Sequence, residues 1–179
     1  MPAAPRSRGS GVPEPRPFDP EAVLRTLARH EVAYVLIGGL AASLHGSPYV
    51  TTDVDITPDR SPENLERLAA ALVALDARIR TEGEPDGLPF DRSARMLERA
   101  SLLNLTTRYG DLDLSFEPAG TGGYGDLRRG AVEIRIRRTP VAIASLADVI
   151  RSKEAAGREK DRVTLPTLRR LLERQRRTE

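Results

Sequence analysis

Residues 33–56 read Ala33-Tyr34-Val35-Leu36-Ile37-Gly38-Gly39-Leu40-Ala41-Ala42-Ser43-Leu44-His45-Gly46-Ser47-Pro48-Tyr49-Val50-Thr51-Thr52-Asp53-Val54-Asp55-Ile56. The short apolar run Ala33–Ile37 ends abruptly at two glycines, as a buried strand does when it meets a turn. Leu40 to His45 has helical composition, and Gly46-Ser47-Pro48 stops it. Val54 and Ile56 then alternate with Asp53 and Asp55. On a strand, successive side chains face opposite ways, so the two aspartates share one face while Val54 and Ile56 enter the core. Asp is depleted in strands, and two carboxylates this close repel unless a cation sits between them. A hard divalent ion such as Mg²⁺ takes oxygen ligands of this kind, together with substrate phosphates. Glycines at the end of the preceding strand let backbone approach a ligand, and a helix start offers free N–H groups to phosphate. Gly39 precedes Asp53 by 14 residues, room for a short helix and a return strand.

The same alternation recurs downstream in Gly110-Asp111-Leu112-Asp113-Leu114. If this strand lies beside the first, one of its carboxylates completes a metal site, and Asp111 and Asp113 face the same way. Around these two strands, Asp19 caps a helix beginning at Pro20, and Ser61 with Pro62 opens a helix whose apolar face is Leu65, Leu68, Ala69, Leu72 and Val73. Residues 77–81 suit a strand, while 82–99 are ambiguous. Ser101–Thr107 and Asp111–Phe116 form a hairpin through Arg108-Tyr109-Gly110. Gly120–Gly125 reads as a mobile loop, because no helix clearly follows it. Strands are expected at Val132–Ile136 and Val141–Ala144. Ser145 caps a helix to Ala156, and a last helical region is interrupted near Pro166. The fold class is α+β, a mixed α/β arrangement with a short sheet flanked by helices. Residues 1–17 form a flexible Pro- and Arg-rich arm, 18–144 the core, and 145–179 a C-terminal helical region packed on it.

Composition removes several classes of function. Cysteine is absent and aromatics are only 4% of the 179 residues. That excludes disulfides and thiolate metal sites, argues against a surface of stacked aromatic rings, and suits the cytoplasm. No apolar run reaches the roughly 20 residues of a membrane span, and the N-terminus lacks the apolar core of a signal peptide. The net charge of +2 is uneven. Arg151–Glu179 carries ten basic and five acidic residues, against a middle near −5. A basic tail on an acidic body fits a polyanionic substrate approaching carboxylates; a solvated amphipathic helix would look the same.

The Gly38-Gly39 pair, Thr52-Asp53-Val54-Asp55 and a later strand ending at Asp113 together resemble the DNA polymerase β-type nucleotidyltransferase superfamily. The segments IGGLAASLHGSPYVTTDVDI and YGDLDL, with SLADVIRSKEAAGREKD, resemble more closely the AbiEii/MenT-type toxins and related minimal bacterial enzymes, over about residues 33–162. The resemblance implies a minimal polymerase-β-like core. Asp53, Asp55 and Asp113 would be metal ligands and catalytic carboxylates, with Mg²⁺ or Mn²⁺ as cofactor and an NTP as substrate. Gly38, Gly39 and Thr52 would contact the nucleotide, Lys153 the triphosphate, and Lys160 and Asp161 would order the pocket. The family often has Ser where Gly39 stands, so only backbone can serve phosphate there. Without the resemblance, Lys153 reads more readily as part of a helix face bearing a Glu154–Arg158 ion pair.

The expected activity is transfer of a nucleoside monophosphate to an acceptor hydroxyl with release of pyrophosphate. The expected acceptor is tRNA, another RNA or a protein, and the expected setting a toxin–antitoxin pair with a cognate antitoxin. The alternatives are an antibiotic-modifying nucleotidyltransferase acting on an aminoglycoside-like molecule, and an inactive nucleotide-binding module.

Overall fold

The computed structural model describes residues 18–178; the arm expected over 1–17 lies outside the described residues. The chain opens with α1 (Pro20–Arg29), where Asp19 Oδ1 accepts from the Ala22 amide at 2.9 Å, the expected cap. Next come β1 (Tyr34–Ile37), α2 (Gly38–Leu44), β2 (Asp53–Pro58) and α3 (Pro62–Ala74). The ambiguous stretch resolves into a hairpin and a helix: β3 (Arg78–Thr81), β4 (Glu84–Leu88) and α4 (Ala94–Arg99). The hairpin β5 (Leu102–Thr107) and β6 (Gly110–Ser115) follows, then α5 (Tyr124–Gly130), β7 (Val132–Ile136), β8 (Thr139–Ile143), α6 (Leu146–Ala156) and α7 (Glu159–Thr178).

All eight strands join one mixed sheet in the order β4-β3-β5-β6-β2-β1-β8-β7. The fold is mixed α/β, as the sequence implies, with a longer sheet than a minimal core needs because a hairpin extends it at each end. The central pairing is decisive. Strand β2 runs parallel to β6, with Asp53 opposite Asp111 and Asp55 opposite Asp113, and antiparallel to β1, with Asp55 opposite Ile37. Period-two alternation then sorts the two faces. Val54, Ile56, Leu112 and Leu114 are fully buried, and each contributes about 1.5–3 kcal/mol relative to exposure. They join Leu24 and Leu27 of α1 and Leu65, Leu68 and Leu72 of α3 in the core. A one-residue slip of either strand would exchange apolar side chains for carboxylates, so the core fixes the register that collects the acids on the other face.

Four local readings change. Helix α2 starts at Gly38 itself, so the glycine pair forms the first turn of the helix and not a loop before it. The glycine-rich segment is followed by a helix after all, α5 from Tyr124, capped by Gly123 at φ +76°. Helix α7 runs unbroken through Pro166. Its ring removes one backbone donor, but Leu165 and Leu168 are buried on either side, and that packing holds the helix through the missing bond. Ser61, expected to cap α3, instead donates its hydroxyl to Asp59 Oδ2 at 2.8 Å. No described helix is long and apolar enough to cross a membrane.

Candidate active site

A cleft of about 560 Å³ opens over the polar face of the sheet. Its floor is β2, β5 and β6; α2 and the 47–51 loop form one wall, and α6 and α7 the other. At its base Asp53, Asp55 and Asp113 each offer a carboxylate oxygen, all within 4.8 Å of one another. The strand register produces this cluster: Asp53 and Asp55 are two apart on β2, and Asp113 is the direct neighbour of Asp55 on β6.

Asp55 is the most perturbed of the three. Burial, then the carboxylates of Asp53 and Asp113, push it up to about 7; Lys160 across the cleft and the Gly39 N–H, which donates to it, work the other way. Gly38 makes room for it. A Cβ there would lie 2.1 Å from Asp55 Oδ2 and 2.6 Å from Cγ, and the backbone sits at φ +67°, where side-chain-bearing residues are strained. Asp53 is oriented by Thr51, whose hydroxyl donates to Asp53 Oδ1 at 2.7 Å. A Cβ on Gly39 would collide with that same Thr51 hydroxyl at 2.7 Å. The two glycines therefore seat the two carboxylates of β2.

On β6 a cation is already in place. Arg80, on β3, reaches past β5 and donates from Nη2 to both oxygens of Asp113 at 2.8 and 2.9 Å. Its Nη1 lies 2.9 Å from Asp111 Oδ2. Burial opposes its charge, but Asp113 and Asp111 outweigh that and hold the guanidinium charged. Asp113 is raised by burial even so, with Arg80 lowering it and Asp53 and Asp111 raising it. On the helical wall Lys153 Nζ donates to Asp161 Oδ1 at 2.6 Å, with Asp161 only 4% exposed. Lys160 lines the cleft and forms no ion pair among the described residues. An oxygen-only set of three carboxylates, crowded and partly buried, suits a hard divalent cation.

Two solved structures are similar to this chain in fold. One is a lincosamide antibiotic adenylyltransferase with lincomycin bound, at TM-score 0.55 and 16% identity over 84% of this chain and 94% of that one. The other is a candidate nucleotidyltransferase from Thermotoga maritima, at TM-score 0.52 and 16% identity over 88% and 96%. The chain has the nucleotidyltransferase fold. No family model and no curated protein matches it.

Within this nucleotidyltransferase fold the residues singled out from sequence fall unevenly. Gly38, Gly39, Asp53, Asp55, Asp113, Lys153, Lys160 and Asp161 all line the one cleft. Thr52 does not; it is exposed, and Thr51 takes the inward position beside Asp53. Asp111 stays outside the carboxylate cluster, tied to Arg80. His45 Nε2 lies 2.8 Å from the Ala144 carbonyl and joins the end of α2 to β8, a helix-end contact away from the carboxylates. The Gly120–Gly125 segment packs closely: a Cβ on Gly120 would lie 2.7 Å from the Ala155 Cβ of α6. The tail shows Arg169 paired with Glu154 at 2.6 Å, where the sequence suggests Arg158. Arg80 and Thr51 were not foreseen. An arginine in a short strand before the Asp-x-Asp hairpin carries no local signal, since β3 and β6 meet only through β5.

Proposed function

We propose that this chain is a Mg²⁺-dependent nucleotidyltransferase, moving a nucleoside monophosphate from an NTP to an acceptor hydroxyl. The observation that carries the reading is the trio Asp53, Asp55 and Asp113, converging within 4.8 Å at the foot of a cleft walled by Lys153 and Lys160. Asp53 and Asp55 would hold the cation and Asp113 would complete its ligand set; Mn²⁺ would serve the same ligands. Bound divalent ions in such sites neutralise phosphate charge and stabilise attacking and leaving oxygens.

The protein's own contribution is position and charge. The cleft orients the acceptor oxygen towards the α-phosphorus. A new P–O bond forms there, the bond to the β-phosphate oxygen breaks, and pyrophosphate departs. Asp113 stands on the β5 side of the trio, opposite Asn104, where it would accept the acceptor's hydroxyl proton. Its pKa lies above the ordinary carboxylate range because of burial, which favours proton uptake at neutral pH. Lys160 faces Asp55 and would meet the triphosphate as a point charge. Lys153 would lend its field to the same phosphates while keeping Asp161 neutralised, and Asp161 would brace that wall.

The acceptor we favour is RNA, tRNA foremost, in a cytoplasmic toxin–antitoxin setting with a cognate antitoxin as partner. The support is the resemblance of residues 33–162 to AbiEii/MenT-type enzymes and the net basic Arg151–Glu179 segment. A second reading, an antibiotic nucleotidyltransferase, is favoured by the overlay on the lincosamide adenylyltransferase. The test is incubation of purified protein with labelled NTPs, Mg²⁺, and in parallel total RNA, cell lysate or lincomycin. Label on RNA supports the first reading and label on lincomycin the second. No transfer and no pyrophosphate release with any acceptor would remove the enzyme assignment.

A further inference from the structure

The catalytic cleft does not end at the carboxylates. Leu102, at the start of β5, lines it, and Leu102 also lines a second, open groove of about 490 Å³. That groove is formed by Arg95, Met96 and Arg99 of α4 together with Asp91, Ala100 and Leu103. The two depressions adjoin at Leu102, the residue that lines both. The groove's start is fixed by the sheet: Asn104 lies directly opposite Asp113, and Leu102 lies two residues along the same strand on the same face. At about 3.3 Å of rise per residue, the groove begins roughly 7 Å along β5 from the third carboxylate. It lies on the side where the proposed reaction admits the acceptor.

The chemistry of the groove is specific. Leu102 is 57% exposed, so it presents apolar surface at the edge of the polar cleft. Arg95 and Arg99 stand four apart on α4, so they share one helix face, and both are exposed. Neither forms an ion pair or hydrogen bond among the described residues, whereas Arg60, Arg80, Arg129, Arg151 and Arg169 all do. The groove's one acid, Asp91, accepts from the Ser93 amide and hydroxyl, both at 2.9 Å, and feels Arg95 only as a lesser, unbonded charge. Two exposed guanidinium groups beside an apolar strip, neither held by an ion pair or hydrogen bond among the described residues, thus stand next to a site whose end performs chemistry on a hydroxyl.

We propose that this groove is the acceptor subsite, and that it holds a single-stranded polynucleotide, with backbone phosphates on Arg95 and Arg99 and sugar or base edges over Leu102 and Met96. The proposal rests on the nucleotidyl-transfer reading and supplies the acceptor's class and path. Guanidinium groups match phosphate oxygens in a bidentate manner, and phosphate contacts position a nucleic acid without reading its sequence. An apolar strip without aromatic rings adds little base preference, so any terminal selectivity arises in the cleft. A small acceptor held inside the cleft has no use for the two arginines. The tail is less well placed for the role, since Arg169 is tied to Glu154.

Binding is measured without NTP, by fluorescence anisotropy of a labelled oligoribonucleotide of about 12 nucleotides, within the usual footprint of a single-strand site. Wild type is compared with the double variants Arg95→Glu/Arg99→Glu and Arg95→Lys/Arg99→Lys across a salt series. ATP-induced thermal shift serves as a check that the cleft is intact. The proposal expects the glutamate pair to weaken oligonucleotide binding at least tenfold, and to make the plot of log affinity against log salt shallower by about 1.4, two contacts at about 0.7 each. The lysine pair should keep most of the affinity and the ATP shift should be unchanged. Equal affinity and slope in wild type and the glutamate pair would overturn the proposal. So would a loss confined to Arg169→Glu/Arg170→Glu. Transfer is scored separately: lincomycin labelled by a chain whose oligonucleotide binding ignores Arg95 and Arg99 would sink the groove and leave the enzyme. Arginine-dependent binding in a chain that transfers nothing to any acceptor would instead sink the enzyme reading.

Discussion

Strands β2 and β6 carry the same local pattern, Asp-Val-Asp-Ile and Asp-Leu-Asp-Leu, and lie side by side in parallel register. Their aspartates nevertheless have different surroundings. On β6, Arg80 lies within 2.9 Å of both Asp111 and Asp113, so half of the pair's negative charge is balanced from inside the protein. On β2, Asp53 and Asp55 receive only hydroxyl and backbone donors and the distant field of Lys160. The protein has thus partly compensated one pair and left the other in fuller deficit. A cation from outside is needed only where no internal one has been provided. Asp113 belongs to both groups, since it touches Arg80 and also completes the trio with the β2 pair.

The contrast is broken most severely by removing the uncompensated pair. Asp53→Ala and Asp55→Ala should each abolish nucleotidyl transfer. Asp55→Ala should also raise the melting temperature of the metal-free protein at pH 8, because it removes a repelled, partly buried charge. Near-normal turnover in either variant would show that the β2 pair holds no essential cation.

Within β6 the two aspartates should separate. Asp113→Asn is expected to remove most activity, whereas Asp111→Asn should reduce metal affinity or rate by about 10–100-fold at most, the usual loss on disturbing an outer partner of a metal ligand. Arg80→Ala should fall in the same range, and Asp111→Asn should hardly add to it in the double variant, because the Asp111 carboxylate orients Asp113 by way of Arg80. Steady-state rates across a Mg²⁺ titration check this. An inactive Asp111→Asn beside an active Asp113→Asn would reverse the assignment.

A gentler perturbation is pH. The folded-state pKa of Asp55, about 7, lies above its ordinary value of 3.8. The native state then holds more protons than the unfolded state between these values, so stability of the metal-free protein falls as pH rises from about 4 to about 7 and levels off above. Mg²⁺ replaces the proton. It should therefore raise the melting temperature more at pH 8 than at pH 5, and Asp55→Asn should abolish that difference. An equal Mg²⁺ effect at both pH values would place the cation elsewhere. The smallest effect is expected from Lys160→Ala, which removes the exposed cation facing Asp55. Metal-free stability should change by no more than about 1 kcal/mol, while KM for NTP should rise. A larger stability loss would show Lys160 to be an internal counter-ion after all, and β2 less distinct from β6.

How far the sequence foretells this depends on the distance over which each feature is encoded. The alternation of Asp with Val, Ile and Leu is local, and it sets strand and face together, so Asp53 and Asp55 could be singled out without coordinates, while Asp111 and Asp113 read alike and only the family resemblance preferred Asp113. The glycine pair was legible as a close approach, but its object was not. It makes room for Asp55 and Thr51, which is a matter of strand pairing. Arg80 and the groove beside α4 depend on strand order, since β3 is the next strand after β2 in the chain yet two strands, β6 and β5, lie between them in the sheet, and no periodicity reports that. Residues 82–99 resisted reading because Glu84–Leu88 is an exposed edge strand with one buried residue, Gly87. Its alternation has nothing apolar to show.

The fit of Gly38 beneath Asp55 has a practical consequence for anyone who must handle the active protein in living cells. A single added methyl group, Gly38→Ala, would push against a carboxylate 2.1 Å away and displace it. Yet the variant keeps every ionisable group and the same net charge. Alanine substitutions of the aspartates silence the chain by altering its field, and so alter its attraction to any polyanion at the same time. A methyl at position 38 separates the two, giving an allele that should bind as the parent binds but transfer nothing. Such a stalled protein, mixed with cellular RNA or lysate, is a bait from which an acceptor can be recovered unmodified.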